Sequence, residues 1–234
     1  MITIYPSQSR YFADHGWLQS RFSFSFAEYY DPNNVRFGPM RVLNDDIVQP
    51  LKGFGPHPHR EMEIVSIVLE GQLKHEDSTG QSAITTFGGV QRMSAGTGVI
   101  HSEVNPSETE PVNFLQLWFE PDTRGLQPSY QQTWFDPEKM KNHLLPIVAK
   151  NPSSDEIAHI NQDLTIYLSD LEPDQELIFT QKEGRRIFLF VIEGDLTLNR
   201  NSLLNRRDSA RITKTPELQL FTKNGSRLML IDLP

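Results

Sequence analysis

In the stretch Gly55-Pro56-His57-Pro58-His59-Arg60-Glu61-Met62-Glu63, two histidines stand two residues apart, and Ser94-Ala95-Gly96-Thr97-Gly98-Val99-Ile100-His101-Ser102-Glu103 repeats that spacing with a histidine and a glutamate. Successive side chains of a strand point to opposite faces, so His57 and His59 share one face and His101 and Glu103 share another. Two such pairs facing each other make a metal cage. Imidazoles with one carboxylate suit a first-row divalent ion, and four ligands leave coordination positions open on an octahedral metal. A lone His-x-His in a surface loop would be solvated polar residues. The second pair argues otherwise, because Gly96-Thr97-Gly98 can make the tight turn that delivers a strand.

Working outward, strict alternation places Glu61, Glu63, Val65, Ile67 and Leu69 on the face of His57 and His59, with Met62, Ile64, Ser66 and Val68 opposite. Glu63 then has two kinds of reading: a functional one, as a metal ligand, a reserve base or an orienting partner for a ligand histidine, and a structural one, as a salt-bridge partner of Arg60 or Arg92. Glu70-Gly71 turns the chain, and His75, between charged neighbours, reads as exposed. Ser78-Thr79-Gly80-Gln81 and Gly88-Gly89 mark hairpin turns, so short strands recur at the spacing of an all-β barrel. Gln116 and Trp118 line the site if they face inward, which leaves Leu115, Leu117 and Phe119 for another layer. Upstream, Phe22, Phe24 and Phe26 alternate on one buried face and read as plain core. Met40 to Asp46 reads as a short strand ending in polar residues, where Asp45 and Asp46 point oppositely and read as structural.

These residues carry a resemblance. His57-x-His59 with Glu63 and Gly71 resembles the first cupin motif, and Gly98-x-x-His101 with Asn105 the second. More narrowly, His-Pro-His-Arg, Val68-Leu69-Glu70-Gly71 and Met93-Ser94-Ala95-Gly96-Thr97-Gly98 with His101-Ser102-Glu103 resemble the pirin family, which includes bacterial quercetin 2,3-dioxygenases. His15-Gly16-Trp17-Leu18, Phe24-Ser25-Phe26 and Gln116-x-Trp118 extend the similarity. It implies a mononuclear metal, most often iron(II), held by His57, His59, His101 and Glu103; by residue chemistry alone manganese, cobalt, nickel, copper and zinc remain open. The implied activity is oxygen-dependent opening of a flavonol with release of carbon monoxide, with Glu103 as candidate base. The implied partners are therefore a small aromatic polyphenol and O2. Two alternatives belong to other classes: a non-catalytic, metal- and redox-dependent regulatory protein of the pirin type, and a cupin isomerase or lyase acting on an anionic substrate, for which Arg60 and Arg92 are the nearby cations.

The second half echoes the first. Ile64 to Leu73 parallels Ile187 to Leu196 at an offset of 123, and Leu115 to Pro121 resembles Leu228 to Pro234 at an offset of 113. Two tandem cupin-type β-barrels, a bicupin, are the simplest explanation. The expected division is an N-terminal metal-binding barrel over 1–135, then a linker and a degenerate C-terminal barrel over 136–234. The offset carries His57 to Thr180, His59 to Lys182 and Glu63 to Arg186, and no histidine follows His159, so the second barrel is expected to be metal-free. His143 and His159 read as surface.

Composition bounds the rest. The 234 residues, 37% of them apolar, can bury one large or two modest cores. With no cysteine, every metal ligand must be nitrogen or oxygen, and disulfides and a thiolate nucleophile are excluded. A net charge of -8 opposes direct binding to nucleic acid. No stretch is apolar for long enough to span a bilayer, and Met1 to Ser7 lacks a secretory pattern, so a cytoplasmic protein without membrane attachment is expected. A monomer is expected as well, since two packed barrels already bury their sheet faces.

Overall fold

The computed structural model describes residues 1–234 and is built almost entirely of β-strands. The chain forms two cupin barrels in tandem, and it divides into two units that do not follow a single cut in sequence. One holds residues 11–134 and 150–162, the other residues 1–10, 135–149 and 163–234. Residues 1–10 join the second unit because Ile2–Tyr5 pairs along its whole length with Ser209–Thr213. Residues 150–162 join the first, where the Asn161 amide and side chain bond the buried Glu63 carboxylate. No helix is long and apolar enough to cross a membrane.

In the first unit, one antiparallel sheet runs in the order Ser129–Trp134, Gly89–Ser94, Glu63–Glu70, Val112–Phe119, Met40–Val48, Leu18–Phe22, Tyr11–Asp14. A smaller sheet runs Gly53–His59, Val99–Val104, Leu73–Asp77, Ser82–Thr85. Leu18, Val48, Val68, Leu73, Val112 and Phe114 form one apolar cluster, with Trp17 and Phe54 packed on it. Ile64, Met93, Ala95 and Val99 form another, joined by Trp118 and Tyr130.

Two glycines fix the smaller sheet. Gly96 has φ +46, and a Cβ there would stand 2.1 Å from the Leu126 carbonyl oxygen, so no other residue fits the turn that precedes His101. Gly53 lets its strand approach Glu103 closely: a Cβ would meet the Glu103 carbonyl oxygen at 2.3 Å. Between those contacts the register slips, His101 lying opposite His57 and Glu103 opposite Phe54. Pro56 sits in the slipped segment, a place that suits a residue with no N–H to give to the ladder.

The second unit repeats the plan. Its larger sheet contains Ile2–Tyr5, Ser209–Thr213, Arg186–Gly194, Ser226–Leu233, Thr165–Leu171 and Leu145–Ala149 in that order. Its smaller sheet runs Glu176–Thr180, Glu217–Phe221, Leu196–Leu198, Ser202–Leu204. Aliphatic side chains, among them Leu171, Ile187, Leu189, Leu218, Leu220 and Leu230, fill the space between. The polar segment after Phe135 contributes one short 3-10 turn, Pro137–Met140, where the Asp136 carboxylate accepts from the Glu138 N–H.

Candidate metal centre

Strand pairing brings the two motifs together. His101 is the register partner of His57, and Val99 that of His59. The ring centres of His57, His59 and His101 lie 4.4 to 4.9 Å apart, and one nitrogen from each falls within 4.8 Å of the other two. His57 Nδ1 donates to the Gly55 carbonyl at 2.8 Å, which leaves its Nε2 lone pair for another partner. His59 Nε2 and His101 Nε2 are buried and bond to no protein group. Unpaired buried polar atoms are costly. A divalent ion among these three nitrogens answers that deficit, so the residues fit a metal.

Electrostatics agree. Burial, with the His57 ring adding to it, lowers the His59 pKa to about 4. Burial again, then His57, His59 and His75 together, lowers that of His101 to about 2. Both rings are therefore neutral at physiological pH, the form that ligates metals.

Glu103 is fully enclosed on the same strand as His101, with only 3% exposure. Ser66 Oγ reaches its Oε1 at 2.8 Å and Gln116 Nε2 donates to its Oε2 at 2.6 Å. Its carboxylate lies close to His101 and His75 rather than within the three-imidazole group. Burial raises its pKa, opposed by the Ser66 bond, the nearby His75 and the Gln116 bond.

The imidazoles open into a cavity of roughly 380 Å³. Trp17, Phe22, Phe26, Phe54 and Trp118 supply aromatic walls, and Ser20, Asn44, Asp46 and Gln116 a polar strip. Phe26 meets Trp118 edge to face at 5.3 Å, and Trp118 meets the His59 ring at 4.7 Å. Gln116 and Trp118 thus face inward, while Leu115, Leu117 and Phe119 are buried on the other side of their strand.

Four readings of the sequence change. Glu63 does not face the histidines: it is wholly buried against Ser94 and Asn161 and does not line the cavity. The alternation fails because His59 ends one strand, Glu61 takes a left-handed φ of 51, and Glu63 begins a strand of the other sheet. Ser66, not Val65, therefore points to the site. His75 is buried rather than exposed, bonded to Asp77 and stacked on Tyr130. Phe22 and Phe26 line the cavity, where plain core was expected; the strand stops at Phe22, and only Phe24 is plain core. The strand begun at Met40 continues to Val48, so Asn44 and Asp46 sit mid-strand with their side chains on the cavity. Asp46 bonds Ser20, and burial first, then the charges of Asp45 and Glu103, push its pKa up to about 7 against that bond. Period-two spacing was the available signal for both missed groups: Leu73, His75, Asp77 inward against Lys74 and Glu76, and Val42, Asn44, Asp46, Val48 inward against Asp45 and Ile47.

Residues 6–119 match the Pirin family, and residues 147–233 match the quercetinase C-terminal cupin domain. A quercetin 2,3-dioxygenase of Escherichia coli (strain K12) is 38% identical over 234 residues, covering 100% of this chain and 99% of the relative. The chain belongs to the pirin family. Its barrels superpose on the bacterial pirin YhhW from Escherichia coli, solved in complex with nickel(II), with a TM-score of 0.94 and 35% identity, over 100% of this chain and 99% of that one. A quercetin 2,3-dioxygenase from Acinetobacter baumannii, 22% identical, shares the fold with a TM-score of 0.80 over 98% of this chain and 85% of that one. Membership of the pirin family supports a metal-dependent cupin function.

Proposed function

We propose that this pirin is a dioxygenase that opens the heterocyclic ring of quercetin or a closely related flavonol with release of carbon monoxide. The observation that carries the proposal is the convergence of three imidazoles, two with orphaned Nε2 atoms, on an aromatic-walled cavity. His57, His59 and His101 would hold the ion through nitrogen, with Glu103 as a weakly held fourth ligand. Iron(II) is the proposed ion. The relatives' names support the activity, and the nickel complex of YhhW supports an occupied site.

A bound divalent ion supplies Lewis-acid stabilisation of a deprotonated hydroxyl and a template for both reactants. The protein's own groups do the remainder. Trp17, Phe22, Phe26, Phe54 and Trp118 bind flat rings and exclude water. Ser20, Asn44 and Asp46 offer partners to ring hydroxyls. Glu103 takes the proton of the reacting hydroxyl; burial makes it a stronger base than a solvated carboxylate, and Ser66 and Gln116 hold it in place. Both atoms of O2 end in the ring-opened ester acid, and the carbon between the two oxygenated positions leaves as carbon monoxide with its own hydroxyl oxygen, so no external reductant is needed, and the proton on Glu103 returns to the product's carboxylate.

An isomerase or lyase of anionic substrates finds little support, because no lysine or arginine lines the cavity. Arg92 is instead engaged with Ser129 and Gln131. The test is oxygen uptake and carbon monoxide release with quercetin, on protein reconstituted separately with iron(II), manganese, cobalt, nickel and copper, beside Glu103→Ala. Metal-dependent release that vanishes in the variant establishes the activity. Full occupancy without turnover on any metal would overturn it in favour of a regulatory role.

A further inference from the structure

Behind His101, on the side away from the cavity, stands a buried pair for which the proposed reaction gives no part. The His75 and Asp77 side chains are 2% and 1% exposed, and His75 Nε2 lies 2.9 Å from Asp77 Oδ2. The other ring nitrogen, His75 Nδ1, faces His101 Nδ1 at 3.4 Å. Tyr130 lies over the His75 ring at 4.3 Å and 18° and so holds its plane. The other oxygen of Asp77 accepts from the Thr79 amide at 2.8 Å, the Thr79 hydroxyl at 2.6 Å and the Gln81 amide at 3.2 Å.

Asp77 Oδ1 accepts from three donors and Oδ2 faces His75 Nε2, so Nε2 is the donor of that bond, and a ring carrying one proton carries it there. His75 Nδ1 is then an acceptor, and His101 Nδ1 must donate to it. His101 Nε2 is left with a lone pair, and that is the buried atom without a protein partner. We infer that Asp77 and His75 form a positioning chain that sets the tautomer and plane of His101 and so presents its Nε2 to the metal. The inference rests on the proposed role of His101 as a ligand. Outer partners of this kind typically change metal affinity by about 10- to 100-fold. The same contacts rule out His75 as a ligand of its own, since both its nitrogens are engaged.

Asp77→Asn is the discriminating variant. Three donors already claim the Oδ1 position, so the amide oxygen must sit there and the NH2 must face His75 Nε2. The His75 proton is then driven to Nδ1, where it opposes the His101 Nδ1–H, and His101 is pushed to the Nε2–H tautomer. His75→Phe keeps the ring on Tyr130 and removes the acceptor. Nitrogen-15 NMR of the metal-free protein should show His101 as the Nδ1–H tautomer in the wild type and as Nε2–H in Asp77→Asn. Competition titration with cobalt(II) should show about 10- to 100-fold weaker binding for each variant, and the double variant should be no weaker than the worse single. Wild-type His101 already in the Nε2–H form, or unchanged tautomer and cobalt affinity in Asp77→Asn, would overturn the inference. A tautomer that follows Asp77 in a wild type that binds no metal would sustain the chain while removing the metal-site reading.

Discussion

The two barrels share a strand plan and differ in what their small sheets turn inward. In the first, Gly53–His59 pairs with Val99–Val104, and His57, His59, His101 and Glu103 reach the cavity. In the second, Glu176–Thr180 pairs with Glu217–Phe221, and Leu177, Phe179, Leu218 and Leu220 pack into the aliphatic cluster. Thr180, at the offset position of His57, and its register partner Glu217 are exposed. The same scaffold is therefore closed with apolar side chains in one copy and held open around unpaired nitrogens in the other. A barrel filled with leucine gains burial energy; one lined with polar groups gives up part of it for a site.

The sharpest way to break this comparison is to remove the nitrogens. His57→Ala combined with His101→Ala should lower bound metal from one equivalent to none by elemental analysis, with the β-sheet circular dichroism spectrum intact. Stoichiometric metal in that variant would end this account of the site. The reciprocal change belongs in the filled barrel. Leu220→Ala should cost about 2–5 kcal/mol in denaturant unfolding while metal stoichiometry stays unchanged, since Leu220 is fully buried in the second unit's core.

Asp46 gives a prediction with a sign. Its folded pKa of about 7 stands above the ordinary 3.8, so the native state holds the proton more tightly than the unfolded chain. Its stabilising contribution is fully present below about pH 4 and is lost as pH rises through 7. Asp46→Asn carries no charge to bury, so its stability relative to wild type should rise between pH 4 and 7, by on the order of a few kcal/mol at most. Urea melts across that range check it; parallel pH curves for the two proteins would show that Asp46 is ionised and well solvated. The smallest effect concerns Glu63. Glu63→Gln should cost roughly 1–3 kcal/mol by weakening bonds to Ser94 and Asn161, yet leave quercetin turnover within about twofold because the residue does not line the cavity. A large fall in turnover without loss of stability would restore it as a catalytic candidate.

How much of this was legible in the residues follows from the range of each physical rule. Period-two alternation is local, so it placed His57 with His59 and His101 with Glu103, and it set Gln116 and Trp118 on one face. It failed at Arg60 to Met62, where a left-handed residue hands the chain from one sheet to the other and resets the phase, and Glu63 was misplaced in consequence. His75 was misjudged from its charged neighbours, although Lys74 and Glu76 occupy the opposite face of its strand and say nothing about its own.

The sequence by itself determined that there are two related barrels, that the chain resembles the pirins, that any ligand must be nitrogen or oxygen, and that the paired histidine motifs lie in the first half. Those are matters of residue identity and short spacing. Only the tertiary structure decided that His57 stands opposite His101, that Asp77 lies behind His75 and His75 behind His101, and that Asp46 shares the cavity with Glu103. Each of these depends on strand register between segments distant in the chain, and register is set by the packing of whole faces, which no local pattern contains.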